Sequence, residues 1–264
     1  MHRDFGLCLN HCIMGTKINN IRRQTPSDGI LLTSWLEKSG LSRSEISDYT
    51  ESGWLQRVAT GVYTFVGDNP TVYGILASYQ SQGTLSYHIG AASALELKGF
   101  SHYVAMGKPA AVIFSLIRPR LPKWLNSAEL DMRIVEVSTK IFGEVGVEQM
   151  EYNGRQLTLA APERAIMECL LLSPIQYNLM DVYYLMEMLT SLRSGLVQQL
   201  LENCTSVKVK RMFLYMAEKA GHRWFVKLDL SKISLGSGTR SYSKGGVKNA
   251  KYDIVIPKEL ADYE

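Results

Sequence analysis

The sequence predicts an α+β protein in which a small N-terminal module precedes a larger mixed α/β domain. Its 264 residues exceed one typical domain of about 100–150 residues, and 46% of them are hydrophobic. Apolar residues recur at helical spacing in some segments and alternate as in half-buried strands in others. This patterning places a boundary at residues 67–68, with one domain over residues 16–67 and the other over residues 68–264.

The composition is that of an ordinary globular protein, which excludes full-length disorder, collagen-like repeats and a disulfide miniprotein. No segment approaches the roughly 20 uninterrupted apolar residues that a transmembrane helix needs, and the mean hydropathy is −0.06. A membrane partner is therefore not expected. No secretory apolar region with a small-residue cleavage site lies near the start, so we expect a reduced, cytoplasmic protein.

The four cysteines do not have the spacing of a metal site. Cys8 and Cys12 form one close pair, but a structural zinc site needs four ligands, usually as two spaced pairs. Cys169 and Cys204 lie far away in apolar helical patterns, where a buried thiol is expected. The sequence therefore predicts no bound metal and no cofactor.

Residues 1–13 show no convincing hydrophobic periodicity, whereas the residues from Met14 lead directly into a plausible helix. Residues 1–15 are therefore interpreted as a leader, which is either a disordered segment or an artefact of start-codon choice between Met1 and Met14. The first module is taken to begin at residue 16.

Positive charge is concentrated at the far end of the chain. The whole sequence has 29 basic and 25 acidic residues, a net charge of +4, and residues 205–264 alone have 12 basic and six acidic residues, a net charge of +6. Residues 1–66 have seven basic and six acidic residues. Neutralising phosphates needs local charge density, so the C-terminal segment is either a phosphate-binding surface or a solvated lysine-rich one.

Two helices are predicted to open the N-terminal module. A short one spans about residues 17–24 and ends at the dense turn signal of residues 25–29. Apolar residues recur at helical spacing from Ile30 and predict a second helix, which stops at Gly40, a residue suited to a left-handed C-cap.

A third helix has the clearest start signal of the module. Ser42 and Glu45 form the Ser-x-x-Glu pattern of a capping box. The helix is predicted to run to about Ser52, with Ile46 and Tyr49 on its inner face. The residues available to point away from the core are Arg43, Ser44, Ser47, Asp48 and Glu51.

A hairpin is predicted after the third helix. Residues 54–58 and 62–65 have strand-like patterns around the tight turn Ala59-Thr60-Gly61. Two helices joined by a tight turn and followed by such a hairpin predict a winged helix-turn-helix, whose second helix can enter a major groove. The hairpin tip carries Arg57 and Thr60, placed to touch a phosphate backbone or a minor groove.

Two functions are open for such a module. If the module binds DNA, Arg43 and Ser44 should make the main contacts, because the amides and the dipole at a helix N-terminus favour phosphate. The acidic residues Asp48 and Glu51 argue against strong contact along the C-terminal half of that helix. Winged helices also serve as protein-interaction modules, so a protein partner is the alternative.

The second domain is predicted to mix helices and strands. Strands are expected at residues 111–117, 132–137, 147–152, 156–160 and 250–257. Helices are expected at residues 71–82, 87–97, 162–172, 182–192, 194–204 and 207–220. The apolar run at residues 111–117 is typical of a central strand, and Asn153-Gly154 is a favoured tight turn between two paired strands. A mobile loop rich in glycine and serine is expected at residues 236–246.

No catalytic motif is recognisable in the sequence. It has neither a Gly-x-Ser-x-Gly elbow nor a Gly-x4-Gly-Lys-Ser/Thr phosphate loop. His88 and His102 lack metal-ligand spacing and are expected to be hydrogen-bonded structural residues. Glu163 and Glu168 lie about 140° apart around a helix axis, so they do not converge. The nearest acidic cluster, expected to be solvated on a turn and a hairpin edge, comprises Glu144, Glu148 and Glu151. We predict no enzyme, and a degenerate nuclease is a third alternative.

Several motifs follow one another in order from about Thr16 to Pro257. They are Leu31-Leu32-Thr33-Ser34-Trp35-Leu36, Gly40-Leu41-Ser42, Ser52-Gly53-Trp54-Leu55, Gly61-Val62-Tyr63, His88-Ile89-Gly90-Ala91-Ala92-Ser93-Ala94-Leu95, Pro162-Glu163-Arg164-Ala165, Gly245-Gly246 and Tyr252-Asp253-Ile254-Val255-Ile256-Pro257. Each motif has low specificity by itself. In their order and spacing, however, the motifs together resemble those of AbiEi-type antitoxins, the antitoxin halves of AbiE abortive-infection toxin–antitoxin pairs.

The resemblance implies two activities. One is repression of the operon's own promoter through the winged helix, with promoter DNA as a partner. The other is neutralisation of a nucleotidyltransferase-like toxin through the C-terminal domain, which in this family has been viewed as not requiring a stable complex. An orphan regulator without such a toxin is the alternative, and an inverted-repeat operator would place two molecules on each site.

The resemblance also carries over site residues by position. The DNA-contact candidates are Arg43, Ser44, Ser47 and Arg57, to which the hairpin geometry adds Thr60. Our candidates for a basic functional surface are Arg240, Lys244, Lys248 and Lys251.

Overall fold

The computed structural model describes residues 17–83, 85–101, 109–117, 121–126 and 128–263. The predicted leader, with Cys8, Cys12 and both start-codon candidates, lies outside the described residues, as does His102. Helices and strands mix along the described chain, which confirms the α+β prediction. The described residues form two compact units: the first draws on those within 17–86, 121–134 and 149–157, and the second on the others.

The first unit begins with helices and a small antiparallel sheet. Its elements are α1 (residues 17–24), β1 (Leu31–Leu32), α2 (Thr33–Lys38), α3 (Arg43–Glu51), β2 (Leu55–Ala59), β3 (Val62–Phe65) and α4 (Val72–Gln82). The strand order is β1-β3-β2, so the hairpin gains a third strand from upstream of α2. Helices α1, α3 and α4 and the β2–β3 hairpin lie where the sequence predicts them.

The start of the second helix is a correction to the sequence prediction. Leu31 and Leu32 are strand residues that pair with Tyr63 and Val62 in an antiparallel ladder. Helix α2 begins only at Thr33 and spans six residues. A short apolar run fits a helix or a strand equally, and here the hydrogen bonds to the remote strand β3 decide in favour of the strand.

An apolar core closes this part of the unit. Its buried members are Ile18, Ile21, Leu31, Leu36, Leu41, Ile46, Tyr49, Leu55 and Phe65. They come from α1, α2, α3 and all three strands, and half-buried Trp35 and Tyr63 pack against them. Full burial of a large apolar side chain stabilises a fold by about 1.5–3 kcal/mol, so these nine buried residues stabilise the module. The predicted inner face of α3 is confirmed.

Helix α4 belongs to the same unit as the first three helices. Its N-cap is Thr71, whose hydroxyl accepts a hydrogen bond from the amide of Gly74 at 3.1 Å. The predicted boundary at residues 67–68 falls within this unit, and the division into residues 16–67 and 68–264 stays a prediction.

A second hairpin is formed by β7 (Val147–Tyr152) and β8 (Arg155–Ala160). Asn153 and Gly154 have φ angles of 47° and 75°, which confirms the predicted tight turn. The tip of this hairpin belongs to the first unit. There the carboxylate of Asp28 accepts hydrogen bonds from Arg155 Nη2 and, at 2.9 Å, from Asn153 Nδ2.

A five-stranded sheet has the order β6-β5-β4-β8-β7, in which β4 is His88–Ile89, β5 is Ala110–Ser115 and β6 is Arg133–Ser138. Strand β5 lies between two neighbours and is buried from Ala111 to Ser115, which confirms the predicted central strand. Strand β4 runs antiparallel to β5 and parallel to β8.

The helix predicted over residues 87–97 is shorter than expected. His88 and Ile89 pair with Phe114 and Ile113 as strand residues, and the helix begins only at Ala91. The alanines that favour a helix all lie from residue 91 onward, and the open edge of β5 takes His88 and Ile89 into the sheet.

The remaining helices are α5 (Ala91–Leu97), α6 (Pro162–Leu172), α7 (Leu179–Met188), α8 (Ser194–Asn203), α9 (Val207–Lys219) and α10 (Lys258–Asp262). Cys169 and Cys204 are buried free thiols, as predicted, and burial raises the pKa of both. No helix within the described ranges is long and apolar enough to cross a membrane.

A three-stranded sheet ends the second unit. Its strands are β9 (Arg240–Ser241), β10 (Val247–Asn249) and β11 (Ile254–Ile256), in the order β10-β11-β9. The strand predicted over residues 250–257 is reduced to β11, because residues 250–253 form a turn. That turn is closed by the amide of Tyr252, which donates to Asn249 Oδ1 at 3.0 Å, and Asp253 has a φ of 48°.

Candidate nucleic-acid interface

Helix α3 starts at a complete capping box. The hydroxyl of Ser42 accepts a hydrogen bond from the amide of Glu45 at 3.2 Å, and the Glu45 carboxylate accepts one from the amide of Ser42 at 2.7 Å. Lys17 Nζ donates to the same carboxylate at 2.9 Å. The hydrogen bonds from Ser42 and Lys17 lower the pKa of Glu45. These contacts tie α1 to the start of α3 and set the direction in which α3 leaves its turn.

The face of α3 that points away from the core is exposed. Its residues are Arg43, Ser44, Ser47, Asp48 and Glu51. Nε of Arg43 donates to Oε1 of Glu37 on α2 at 2.7 Å, and this hydrogen bond raises the pKa of the guanidinium. The Ser44 hydroxyl lies 3.0 Å from that of Ser42, and the Ser47 hydroxyl donates to Glu51 at 3.3 Å. Sequence reasoning missed Glu37 as the partner of Arg43.

The β2–β3 hairpin has a β-bulge next to its tip. The register shifts between Arg57 and Ala59, so Val58 is the extra residue on its strand. Gly61 has a φ of 73°, a left-handed conformation that favours glycine. Arg57 and Thr60 are exposed, and Nε of Arg57 donates to the carbonyl of Ala59 at 3.3 Å. Both predicted tip residues are therefore accessible.

Charge is unevenly distributed along α3. Arg43 is the first residue of the helix, whereas Asp48 and Glu51 are exposed in its second half and no basic residue lies in its last turn. The partial positive charge of a helix N-terminus favours anions at the Arg43 end. The start of α3 and the hairpin tip are therefore exposed parts of the module that can approach DNA.

The second set of basic candidates lies on or next to the C-terminal sheet. Arg240 is in β9, Lys244 in the following loop, Lys248 in β10 and Lys251 in the turn before β11. Two of the four have acidic partners, since Lys248 Nζ lies 3.1 Å from Oδ1 of Asp253 and Lys251 donates to Glu218. This surface is therefore less positive than the residue count predicts.

Arg211 shapes the loop beside that sheet, and sequence reasoning did not single it out. Its buried guanidinium donates to the carbonyls of Leu235, Gly236, Gly238 and Asp253 at 2.8–3.1 Å. The five donors of a guanidinium have a fixed planar geometry, so these acceptors are held in one arrangement. Because Lys208 and Lys210 precede it in α9, no sequence signal distinguished Arg211 from the neighbouring basic residues.

His88 belongs to a buried polar network. Its Nε2 lies 2.8 Å from Oε1 of Glu168, which also accepts from Nε of Arg164 at 2.7 Å. Oε2 of Glu168 accepts from the amide of Ala91 at 3.0 Å. The prediction that His88 is a hydrogen-bonded structural residue is confirmed. The spacing of four residues between Arg164 and Glu168 was a signal for their pairing, whereas His88 is 80 residues from Glu168 in the sequence.

Glu148 and Glu163, two other acidic residues of the second unit, both pair with Arg193. Glu163 accepts from the amide and from Nε of Arg193 at 2.8 and 2.9 Å, so it does not converge with Glu168, as predicted. Glu148 is half-buried and pairs with Lys98 and Arg193, which corrects the expectation that it is solvated. Across the described part of the chain, no three His, Cys, Asp or Glu side chains are placed to hold a metal ion.

The fold and this surface define a two-unit α+β protein with a candidate regulatory module at its N-terminal end. A family profile described as "Transcriptional regulator, AbiEi antitoxin N-terminal domain" matches residues 14–106, and one described as "Transcriptional regulator, AbiEi antitoxin, Type IV TA system" matches residues 108–257. The chain therefore belongs to the AbiEi antitoxin family, whose members are transcriptional regulators of type IV toxin–antitoxin systems.

The fold is also found in a solved structure. The chain is similar to the crystal structure of the RV2827C protein from Mycobacterium tuberculosis, with a TM-score of 0.63 and 15% sequence identity, over 92% of this chain and 91% of that chain. At this identity the similarity shows the fold alone. No curated protein matches the chain.

Proposed function

We propose that the N-terminal module is a winged helix-turn-helix that binds the promoter of the protein's own operon and represses it. The observation that carries the proposal is that the start of α3 and the bulged hairpin tip are both exposed. The exposed residues are Arg43, Ser44, Ser47, Arg57 and Thr60.

The residues divide by the contacts that they can make. Arg43, Ser44 and Ser47 lie in the first half of the recognition helix, the part that reaches base edges in helix-turn-helix proteins. Arg57 and Thr60 lie on the hairpin and are suited to phosphate or to the minor groove. Base contacts give specificity and phosphate contacts give salt-dependent affinity, so the two groups should behave differently on substitution.

Fluorescence anisotropy with the upstream promoter, and with a scrambled duplex of equal length, tests this proposal. The wild-type protein should prefer the promoter, with an affinity that falls linearly in log–log form as salt rises. Arg43→Ala should reduce the preference, and Arg57→Ala should weaken binding to both duplexes and lower the salt slope by about 1. Arg133→Ala, an exposed site on β6, is the control for loss of one charge. A wild-type protein without promoter preference refutes the proposal.

Stoichiometry gives a separate measurement. If the operator is an inverted repeat, two molecules should occupy each site, because recognition-helix proteins match two-fold DNA symmetry with two copies. Sedimentation of the protein–DNA complex measures this directly, and a single copy on an inverted repeat contradicts it.

We propose further that the protein counteracts a nucleotidyltransferase-like toxin. Membership of the antitoxin family supports this, and the basic surface of Arg240, Lys244, Lys248 and Lys251 is the candidate region. Lys244 is exposed and Arg240 half-buried, with Nη1 donating to the carbonyl of Gly238 at 3.0 Å. Neither has an acidic partner among the described residues, so these two are the first to test.

Coexpression with the product of the neighbouring reading frame tests the antitoxin role, and the proposal requires that product to be a nucleotidyltransferase-like protein. The wild-type protein should restore growth, and the double variant Arg240→Glu/Lys244→Glu should not, at equal protein levels. Arg223→Glu/Lys227→Glu makes the same charge change at two exposed positions outside the sheet and should still restore growth. Equal rescue by both double variants removes the basic surface from the proposal, and no rescue by the wild type removes the antitoxin role.

One observation favours a second function, that of a protein-interaction module. Trp54 is 45% exposed and Val66 is 56% exposed, and the two are adjacent because the amide of Val66 donates to the carbonyl of Trp54 at 3.1 Å. Neighbouring exposed apolar side chains are a feature of protein contacts. If Trp54→Ser abolishes growth rescue while the wild type shows no promoter preference, this second function replaces DNA binding.

A further inference from the structure

The exposed side of α1 is polar and basic. Residues 17–27 contain three basic residues, Lys17, Arg22 and Arg23, and no acidic one. Ile18 and Ile21 are buried in the core of the module, so the rest of the helix surface is left to polar side chains. The exposed residues of the helix are Asn19, Asn20, Arg22, Arg23 and Gln24. No carboxylate of the helix itself therefore opposes an anionic partner on this side.

A hydrogen bond holds α1 beside the start of α3. Nζ of Lys17 donates to Oε1 of Glu45 at 2.9 Å, and Glu45 lies in the first turn of α3, two residues after Arg43. A helix turns by about 100° per residue, so Asn20 lies about 60° around α1 from Lys17, and Arg23 lies about 60° further in the same direction. Residues three apart are neighbours on a helix surface. Lys17, Asn20 and Arg23 therefore form a row that begins at the contact with α3 and continues onto the exposed side of α1.

The two arginines of α1 have different surroundings. Nη1 of Arg22 lies 2.6 Å from Oδ2 of Asp68, and the guanidinium lies 4.9 Å from the centre of the Phe65 ring. Arg23 is exposed, and its side chain has neither an ion-pair nor a hydrogen-bond partner among the described residues. A guanidinium has several donors in a fixed plane and forms strong bidentate contacts with oxyanions. Arg23 is therefore available to an anionic partner, whereas Arg22 is already engaged within the protein.

We propose that the exposed side of α1 binds the DNA backbone, through the guanidinium of Arg23 and the side-chain amide of Asn20, next to the groove that receives the start of α3. Arginine and asparagine side chains are among the donors that proteins offer to phosphate oxygens. A protein partner is disfavoured, because both large apolar residues of the helix, Ile18 and Ile21, are buried. This contact rests on the proposed promoter binding and adds a third element, besides α3 and the hairpin, to those that contact DNA.

Fluorescence anisotropy with the full chain, on the promoter duplex and on the scrambled duplex, tests this contact. Phosphate contacts carry no sequence information, so Arg23→Gln should weaken binding to both duplexes about fivefold at 100 mM salt. It should also lower the salt slope by about 1 and leave the promoter preference unchanged. Arg22→Gln is the matched control. It removes the same charge from the neighbouring arginine, whose side chain is held by Asp68, and should stay within about twofold of the wild type, because salt screens distant charges.

A second pair of variants tests the position of Asn20. Asn20→Asp should weaken binding to both duplexes about fivefold, because a carboxylate in the row repels the phosphates. Asn69→Asp makes the same change at an exposed position of the first unit, next to Asp68, and should stay within about twofold of the wild type.

The proposal is overturned if Arg23→Gln binds the duplexes as tightly as Arg22→Gln, or if Asn20→Asp binds as tightly as Asn69→Asp. Circular dichroism shows whether each variant is folded, and if Arg22→Gln is not, Arg133→Gln replaces it as the control. Because phosphate contacts are independent of sequence, the α1 contact is measured on the scrambled duplex as well. A wild type that binds both duplexes equally refutes promoter recognition alone, whereas equal binding of Arg23→Gln and Arg22→Gln refutes the α1 contact alone. A wild type that binds neither duplex overturns both.

Discussion

Nε2 of His88 lies 2.8 Å from Oε1 of Glu168, and both side chains are buried in the second unit. The same carboxylate accepts from Nε of Arg164 and from the amide of Ala91, so it joins β4, the start of α5 and α6. A buried carboxylate that is fully hydrogen-bonded on both oxygens is a fixed point for the elements around it.

Replacement of Glu168 by alanine should destabilise the protein by about 3–5 kcal/mol, because it leaves the buried Arg164 charge without its carboxylate. Urea unfolding followed by circular dichroism measures the change. Glu129→Ala, at an exposed position, is the control and should stay within about 0.5 kcal/mol of the wild type. A loss below about 1 kcal/mol for Glu168→Ala would show that this network does not hold the unit together.

Gly90 is placed against the same carboxylate. A Cβ atom there would lie 2.2 Å from Oε2 of Glu168 and 2.4 Å from a ring carbon of Phe114, both of which are buried. Gly90→Ala should therefore cost about 3 kcal/mol and lower the melting temperature. Gly195→Ala, in helix α8, is the matched control, because a Cβ there would point into open space. This variant should raise the free energy of unfolding by about 0.5–1 kcal/mol. Equal melting temperatures for the two variants contradict the close approach at Gly90.

The pair of Glu163 and Arg193 predicts a pH dependence of stability. Burial acts to raise the pKa of Glu163, but the hydrogen bonds from Arg193 outweigh it and the pKa is lowered from its usual 4.5. A carboxyl group with a lowered folded-state pKa stabilises the fold above its unfolded pKa, and this stabilisation is lost as the pH falls through the folded value.

Arg193→Gln should therefore lower the free energy of unfolding by about 2 kcal/mol at pH 7. This is less than for a fully buried ion pair, because the arginine side chain is 58% exposed. The difference from the wild type should shrink as the pH falls from 5 towards 3. Urea midpoints measured across that range, with Arg223→Gln as control, check the trend. A difference that stays constant with pH would mean that Glu163 is not the group responsible.

Glu37 and Arg43 give a prediction that rests on promoter binding. An exposed ion pair adds about 0–1 kcal/mol to stability, but this one engages the guanidinium at the start of α3. Glu37→Gln should release Arg43 and raise promoter affinity about threefold at 100 mM salt, whereas Arg43→Ala should lower it about tenfold. The double variant should match Arg43→Ala in the anisotropy assay. If Glu37→Gln raises affinity equally without Arg43, the gain comes from the lost negative charge and not from the released side chain.

Local signals in the sequence predicted the features whose partners lie within a few residues. Ser42 and Glu45 are three residues apart, and their capping box is present. The turn at Asn153-Gly154 is likewise set by the two residues that form it, since both adopt positive φ. The exposure of the predicted α3 and hairpin residues follows from the same local periodicity.

Errors arose where a short segment could adopt either structure. Leu31-Leu32 and His88-Ile89 were predicted as helical, and each became a two-residue strand because a remote strand offered an unpaired edge. Periodicity over two residues does not distinguish the two states.

Short-range patterns in the sequence are enough to predict the capping box of α3, the tight turns, the central strand, the exposed face of α3 and the family resemblance. Which charges are available depends instead on long-range contacts, because folding brings ion-pair partners together from distant positions. Arg155 and Asp28 are 127 residues apart in the sequence, yet they form an ion pair in the first unit. In the same way Glu218 and Asp253 neutralise Lys251 and Lys248, so the surface charge of this protein depends on folding as well as on composition.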